Sequence, residues 1–459
     1  MGNEHKRWRL SECLETVVDN RGKTPPNDGH ETEFQLLEVN CITGTNRKPN
    51  YALVRKYVTL ETYNNWFRNG HPTKDDVIIS TVGSIGEVCL FDGRGCIAQN
   101  LVALRAKSTI LEGSFLFYYL CSRKVKNELL SLNISSVQPS IKVPHLLDLE
   151  IPLPPLPEQK AIAHILGSLD DKIELNRRMN KTLEAMAQAL FKSWFVDFDP
   201  VIDNALAADN DIPEPLKDKA AAREALGDAR KSLPEDIRQH FPCRFEFTEE
   251  MGWIPEGWEI GPIKTMGEVI CGKTPPTKNI ENFGEDVPFI TIPDMHGKVY
   301  ITQTVRKLSI IGATTQAKKY LPPNSICVSC IATPGLVAIT SEPSQTNQQI
   351  NTVVPFRPSG SFFCYESLSI LGDLIRISGS GGSVFSNLSK GRFEQLIVLI
   401  PSIKSQEYFH TTVQPYFDKL IVNQKNNEKL AALRDTLLPK LLSGELRIPD
   451  AEKLVEEVL

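Results

Sequence analysis

The stretch from Glu158 to Val196 limits what this chain can fold into more than any other. Its apolar residues recur at alternating steps of four and three, at Ile162, Leu166, Leu169 and Ile173. The seam passes through Asn176 and Asn180 and resumes at Leu183, Ala187, Leu190 and Trp194. Such a period, held over more than four heptads, predicts one long helix with a partner helix along one side. At ~1.5 Å per residue it would be roughly 58 Å long. The partner is in the chain: adding 247 to each number gives Phe409, Val413, Tyr416, Leu420, Asn423, Asn427, Leu430, Arg434, Leu437 and Leu441, with both Asn positions reproduced.

If a twofold axis relates the two helices, the same sequence symmetry fixes their register. It sets Asn176 opposite Asn427, Asn180 opposite Asn423, Ile173 opposite Leu430, Leu166 opposite Leu437, Ile162 opposite Leu441 and Trp194 opposite Phe409. The expectation is an antiparallel coiled coil with a polar layer at its crossing point. Buried Asn at a seam position specifies register at some cost in stability.

The repeat extends beyond the helices. An offset of 250 places Trp8 on Trp258 and Arg21–Pro26 (RGKTPP) on Cys271–Pro276 (CGKTPP). At 249, Asp75–Ser80 falls on Asn324–Ser329, and from Val137 to Phe195 the offset settles at 247. A drift of three residues over that span marks an internal duplication, so each half is a globular portion of about 150 residues followed by one long helix.

The globular portions read as mixed α/β with short strands. Phe34–Val39, Val77–Ile79, Val88–Phe91 and Leu101–Leu104 are apolar or β-branched runs bounded by Gly, Asp or Asn, as are Phe289–Ile292, Ile326–Val328, Leu336–Thr340 and Thr352–Phe356. A helical pattern covers Ser114–Leu130, with an equivalent near Ser361–Ile377. Each half then passes through a small polar loop and a proline-bounded extended segment into its long helix, which a proline is suited to begin. Asp197–Glu250 has no repeat partner and reads as an acidic, Ala- and Pro-rich linker with short helical pieces, held partly by Phe198 and Phe245. The division is therefore 1–155, 156–197, 198–250, 251–402, 403–444 and a tail, 445–459.

Composition excludes some classes. With 41% apolar and 23% charged residues in 459, the chain has the make-up of a soluble globular protein of several domains. It has no apolar run long enough for a membrane and no apolar signal region at its start. Ten scattered cysteines fit a reducing cytoplasm, and the lone Cys327/Cys330 pair lies in an apolar run that suits buried strand thiols. The net charge of −5 is unevenly spread: 18 Lys+Arg against 17 Asp+Glu over 1–155, 13 against 19 over 156–250, 12 against 11 over 251–400 and 8 against 9 over 401–459. The acidity sits in the middle, leaving each globular portion free to carry a basic face.

Gly267–Thr274 matches G-x-x-x-x-G-K-[ST] formally, but Pro275 and Pro276 force extended geometry where a phosphate loop needs a helix to start. The other repeat has Val17 in place of the first Gly. The eight His are isolated, no metal or hydrolase motif occurs, and no amino-methyltransferase motif is found. The chain is read as non-catalytic and without a metal. Two similar domains on two helices suit a DNA site in two parts about one helical turn apart, roughly 34–36 Å. The competing readings are a scaffold that binds proteins and nucleotide hydrolysis at Gly267–Thr274.

At this point the chain resembles the specificity subunits of type I restriction-modification enzymes. The residues that carry the resemblance are IPLPPLPEQKAIAHILGSLDDKIELNRRMNKTLEAMAQALFKSWFVDFDPV from Ile151, MGWIPEGWEIGPI from Met251 and LLPKLLSGELRI near the end. TPGLVAIT departs from the TVGSIGEV of the first half. The resemblance implies two α/β target-recognition domains, each reading one half of an asymmetric split DNA site, joined by two long antiparallel helices that act as a ruler. It implies as partners double-stranded DNA, two methyltransferase subunits and motor-endonuclease subunits. S-adenosylmethionine, ATP and Mg are then expected in those partners and no cofactor in this chain, which works in the cytoplasm in host defence.

Loop Arg, Lys, Asn and Gln favour base edges, while Ser, Thr, Gly amides and Lys serve phosphates. The DNA-binding candidates in the first half are Lys23, Thr24, Ser84, Gln99, Asn100, Ser136, Gln138 and Lys142. In the second they are Lys273, Thr274, Gln348, Gln349, Ser383 and Ser389.

Overall fold

The structure is a computed structural model that describes residues 6–22, 24–44, 47–133, 139–227, 233–379 and 388–459, with the backbone alone for 374–379. Two compact units make up the chain: one of residues 1–175 with 427–459, the other of residues 176–426. The boundary falls inside both long helices, Leu156–Phe195 and Ile403–Leu442, each 40 residues long.

Both units are built around the same antiparallel sheet. In the first the strand order is Leu14–Val18, Leu101–Ala106, Val77–Ser80, Val88–Leu90. In the second it is Gly267–Cys271, Ile350–Pro355, Ile326–Ser329, Val337–Thr340, with Tyr300–Ile301 added in parallel at the edge. The central strands are buried on both faces, and so read as continuous apolar runs. A short strand near the start of each portion pairs with the segment entering its long helix: Arg7–Arg9 with Glu150–Pro152, and Glu259–Pro262 with Ile397–Ile400.

The long helices supply part of each core. In the first unit Ile162, Leu166, Leu169 and Ile173 join Leu430, Leu437 and Leu441 in one cluster with the sheet and with Phe115–Leu120. Arg434 on the second helix donates to Asp170 on the first at 2.6 Å. In the second unit Ala187, Phe191 and Trp194 pack with Phe409, Val413, Phe417 and Leu420, and Leu183 lies at the margin of that cluster. Trp194 and Phe409 meet edge to face at 5.9 Å, and Asn423 donates to Asn180 at 2.8 Å. Moving up one helix from Asn180 to Trp194 moves down the other from Asn423 to Phe409, so the pair here is antiparallel. Asn180 Nδ2 also donates to the Leu420 carbonyl at 3.2 Å. Asn176 and Asn423 are buried, and Asn180 and Asn427 half-buried.

Several local expectations differ. The single helix over Ser114–Leu130 is two, Gly113–Cys121 and Arg123–Ser131. Ser122 breaks it in an extended conformation, its hydroxyl accepting from Val125 N and capping the second piece. Its equivalent, Ser361–Gly379, is continuous. The strand over Phe34–Val39 shrinks to Leu36–Leu37, because a short helix starts at Val39.

The acidic segment is packed into the second unit. Helix Asp199–Ala207 buries Val201, Ile202 and Ala205. A hairpin pairs Phe245–Thr248 with Gly252–Pro255, and Phe198 lies 6.2 Å from Phe245 and 5.9 Å from Trp258. Its acidity is partly met within the unit: Arg223 bonds Asp203 and Asp199, and Lys219 bonds Asp197. The chain's last segment forms a comparable helix, Ile448–Glu456, that buries Ala451 and Val455 in the first unit's core. Among the described residues no helix is long and apolar enough to cross a membrane.

Candidate nucleic-acid interface

Antiparallel pairing brings the end of one strand beside the start of the next. In the first unit Val18 lies opposite Ala103 and Ser80 opposite Leu101, so the loops after Val18 and Ser80 and before Leu101 gather at one sheet end. In the second, Cys271 lies opposite Asn351 and Ser329 opposite Ile350, with the same result. Of the ten sequence candidates among the described residues, eight sit in these loops.

The loop after the second strand is the most closely duplicated. Ser80 Oγ donates to the Ser84 carbonyl and accepts from Glu87 N at 2.9 Å. Ser329 Oγ likewise donates to the Thr333 carbonyl at 2.6 Å and accepts from Leu336 N at 2.8 Å. Thr81 N donates to the Asn100 carbonyl, as Cys330 N does to that of Gln349, both at 2.9 Å. The loops thus share a backbone although TPGL replaces SIGE. Gly83 has φ +83°, and the residue 249 later, Ala332, holds φ +67°. A left-handed Ala costs about 1–2 kcal/mol, which the surrounding hydrogen bonds must hold in place.

The GKTPP loops lie against the third loop. Lys273 N donates to the Thr346 carbonyl at 2.9 Å and Gly272 N to that of Ile350 at 3.1 Å. A Cβ on Gly272 would stand 2.1 Å from the Asn347 carbonyl, so only glycine permits this approach. Thr274 Oγ1 donates to Gln348 Oε1 at 2.8 Å. In the first unit Gln99 Nε2 donates to Thr24 Oγ1 at 2.9 Å. Thr24, Ser84, Lys142, Lys273, Gln348 and Ser389 are exposed, and Gln99, Asn100, Thr274 and Gln349 half-buried.

The remaining candidates are divided. Lys142 stands at the start of helix Val143–Leu147, beside the segment in which Ile141 N bonds the Thr81 carbonyl at 2.9 Å. Ser389 caps helix Lys390–Glu394, and Leu388 N bonds the Cys330 carbonyl at 3.1 Å, which joins that segment to the same loops. Lys23, Ser136, Gln138 and Ser383 lie outside the described residues. Gln349 N and Oε1 are both held by Asn347.

The structure adds residues that the sequence reading passed over. Ser80 and Ser329 pin the loops, and their shared offset of 249 was the available signal. Asn351 and Asn347 brace the second cluster from below: Asn351 is buried and donates to Cys330 Sγ at 3.2 Å. Burial pushes the Cys330 and Cys327 thiols up to about 11 and about 12, so both are held protonated, Cys327 inside strand Ile326–Ser329 and Cys330 just past its end. Gly267–Cys271 is a paired strand, the opposite of a loop opening a helix. Among the described residues no three His, Cys, Asp or Glu are arranged to hold a metal.

Each loop cluster can offer amides, hydroxyls, backbone N–H groups and lysine to a polyanion with base edges. Comparison with known proteins agrees in both halves. The family described as "Type I restriction modification DNA specificity domain" matches residues 37–185 and 255–432. The type I restriction enzyme HindI specificity subunit of Haemophilus influenzae is 38% identical over 373 residues, covering 76% of this chain and 81% of that protein. The MjaIX specificity subunit of Methanocaldococcus jannaschii is 26% identical over 393 residues, covering 82% and 79%. A crystal structure of a type I restriction-modification S subunit from M. genitalium superposes with TM-score 0.49 at 17% identity, covering 96% of this chain and 97% of that one. With the family matched in both repeats and the HindI relative aligned over most of its length, the chain belongs to the specificity subunits of type I restriction-modification systems.

Proposed function

We propose that this chain is the non-catalytic DNA-recognition subunit of its complex, each unit reading one half of a bipartite, asymmetric site. The observation that carries the reading is the duplicated loop cluster: two equivalent sheet ends with the same serine-pinned loop but different exposed side chains, Ser84 against Thr333 and Lys142 against Ser389. Equal frames with unequal surfaces are what two half-sites of different sequence require. Residues 1–155 and 251–402 are the recognition domains, 156–197 and 403–444 the spacer helices, and 198–250 and 445–459 the segments that return from them. The helices set the distance between half-sites and dock two methyltransferase subunits, which bring S-adenosylmethionine. Motor-endonuclease subunits bring ATP and Mg, and the assembly works in the cytoplasm. Thr24, Ser84, Gln99, Asn100 and Lys142 face one half-site, and Lys273, Thr274, Gln348, Gln349 and Ser389 the other.

The test is footprinting of the chain with its methyltransferase partner on genomic fragments across a salt series. A two-part footprint whose affinity falls steeply with salt is expected. Protection that ignores sequence would contradict the reading.

A further inference from the structure

One contact in the loop clusters is repeated although the sheet does not depend on it. Gln99 and Gln348 occupy equivalent positions 249 apart, and Thr24 and Thr274 equivalent positions 250 apart. Each Gln amide is tied to its Thr hydroxyl, Gln99 donating to Thr24 at 2.9 Å in one unit and Gln348 accepting from Thr274 at 2.8 Å in the other. Neighbouring loop positions have diverged, Gly83 to Ala332, Ser84 to Thr333 and Asn100 to Gln349, while Thr and Gln have not.

The hydroxyl is a firm anchor. Thr24 precedes Pro25–Pro26 and Thr274 precedes Pro275–Pro276, and a residue before proline is confined to extended backbone. A β-branched side chain is also stiff at χ1. A Gln amide has two donor hydrogens and two acceptor lone pairs. The bond to Thr restrains each amide and leaves Gln99 one N–H and both carbonyl lone pairs, and Gln348 both N–H groups and one lone pair, so each still offers an N–H beside a carbonyl lone pair.

We propose that Gln99 and Gln348 each read one base pair, one in each half-site, with Thr24 and Thr274 as positioning residues that hold the amide plane. The base is adenine, whose major-groove edge pairs an N6 donor with an N7 acceptor and matches an amide bidentately. The inference rests on the recognition reading above.

The experiment maps methylated sites genome-wide in cells expressing the full chain with its methyltransferase partner, for wild type, Gln99→Ala, Thr24→Ala, Thr24→Ser, Gln348→Ala, Thr274→Ala and Thr274→Ser. Wild type should give one two-part motif. Gln99→Ala should relax a single A·T position in one half, by about ten- to a hundred-fold in preference, and Gln348→Ala a single A·T position in the other. Each Thr→Ala should relax the same position as its Gln, and each Thr→Ser should restore it. The unrelaxed positions of the same motif report that the variant is folded. A two-part motif that keeps every position in both Gln variants, or loses methylation evenly across all sites, would overturn this inference alone. A wild-type map without a two-part motif would overturn the recognition reading and the inference with it.

Discussion

The joint between globular portion and helices is made of ions in one unit and of rings in the other. In the first, Asp170 on the first long helix accepts from Arg434 and from the Tyr118 hydroxyl, both at 2.6 Å, while Arg47 bonds Asp171 and the Gly167 carbonyl. Burial works against the charge on Arg434, yet Asp170 and Asp435 together outweigh it and the guanidinium is held above its ordinary range. At the positions 247 away, Asp170 becomes Phe417, Arg434 becomes Ala187 and Tyr118 stays a tyrosine, Tyr365. Phe417 stacks on Phe362 at 4.1 Å and meets Tyr365 edge to face at 5.7 Å. The two partners have changed together, for a physical reason: a largely buried carboxylate or guanidinium left without its partner is costly. A duplicated backbone can therefore keep its geometry while exchanging what holds it, provided each pair is exchanged whole.

The strongest way to break this comparison is to exchange half a pair. Arg434→Met takes away the guanidinium bonded to Asp170, whose side chain is only 10% exposed, and should cost about 3–5 kcal/mol in denaturant unfolding. The double variant Asp170→Phe/Arg434→Ala copies the other unit's pair and should cost less than Arg434→Met alone. If the double variant is the worse of the two, the joints are not interchangeable. Phe417→Ala should cost about 3–5 kcal/mol through the cavity it opens.

A second prediction separates the joints by pH. Glu366 on helix Ser361–Gly379 is buried, and its Oε1 has no hydrogen-bond partner among the described residues. Burial, and then the nearby carboxylate of Glu184, push its carboxyl up to about 8 from 4.5. A folded-state value above the unfolded one means that the native state keeps a proton the unfolded chain has lost. That contribution is whole below about 4.5 and is lost as pH rises to about 8. Unfolding followed by Trp194 and Trp258 should show the second unit losing on the order of a few kcal/mol over that window. Glu366→Gln should flatten the curve, and an unchanged slope would remove the acid from the account.

Smaller effects probe the features that the two halves share. Asn423→Ala leaves Asn180 without its 2.8 Å donor and should cost about 1–3 kcal/mol by melting. Ala332→Gly should stabilise by roughly 0.5–1 kcal/mol, and Gly83→Ala should destabilise by about as much, because both positions need positive φ. Equal and opposite shifts would show that the two loops share one conformation.

What the sequence made legible follows the reach of each signal. The helices were readable because a heptad is local and because the chain states it twice; the contacts of Asn180 with Asn423 and Trp194 with Phe409 have the register that this symmetry implies. The GKTPP loops were readable for the same reason. The break at Ser122 was hidden, since the apolar pattern runs through it and only the serine hydroxyl ends the helix. The ionic joint joins Arg47, Tyr118, Asp170 and Arg434, whose meeting no spacing announces. The Thr–Gln contacts span about 75 residues, and each partner was noted for its own chemistry, without its neighbour. Ala332 looks like any alanine until Gly83 is aligned with it.

The most direct test of two independent reading units is to replace residues 1–150 with the corresponding portion of another specificity subunit and map methylated sites in cells expressing the chimaera with its partner. One half of the motif should change while the other half and the spacing between them stay as in wild type. A change in both halves would contradict two independent reading units.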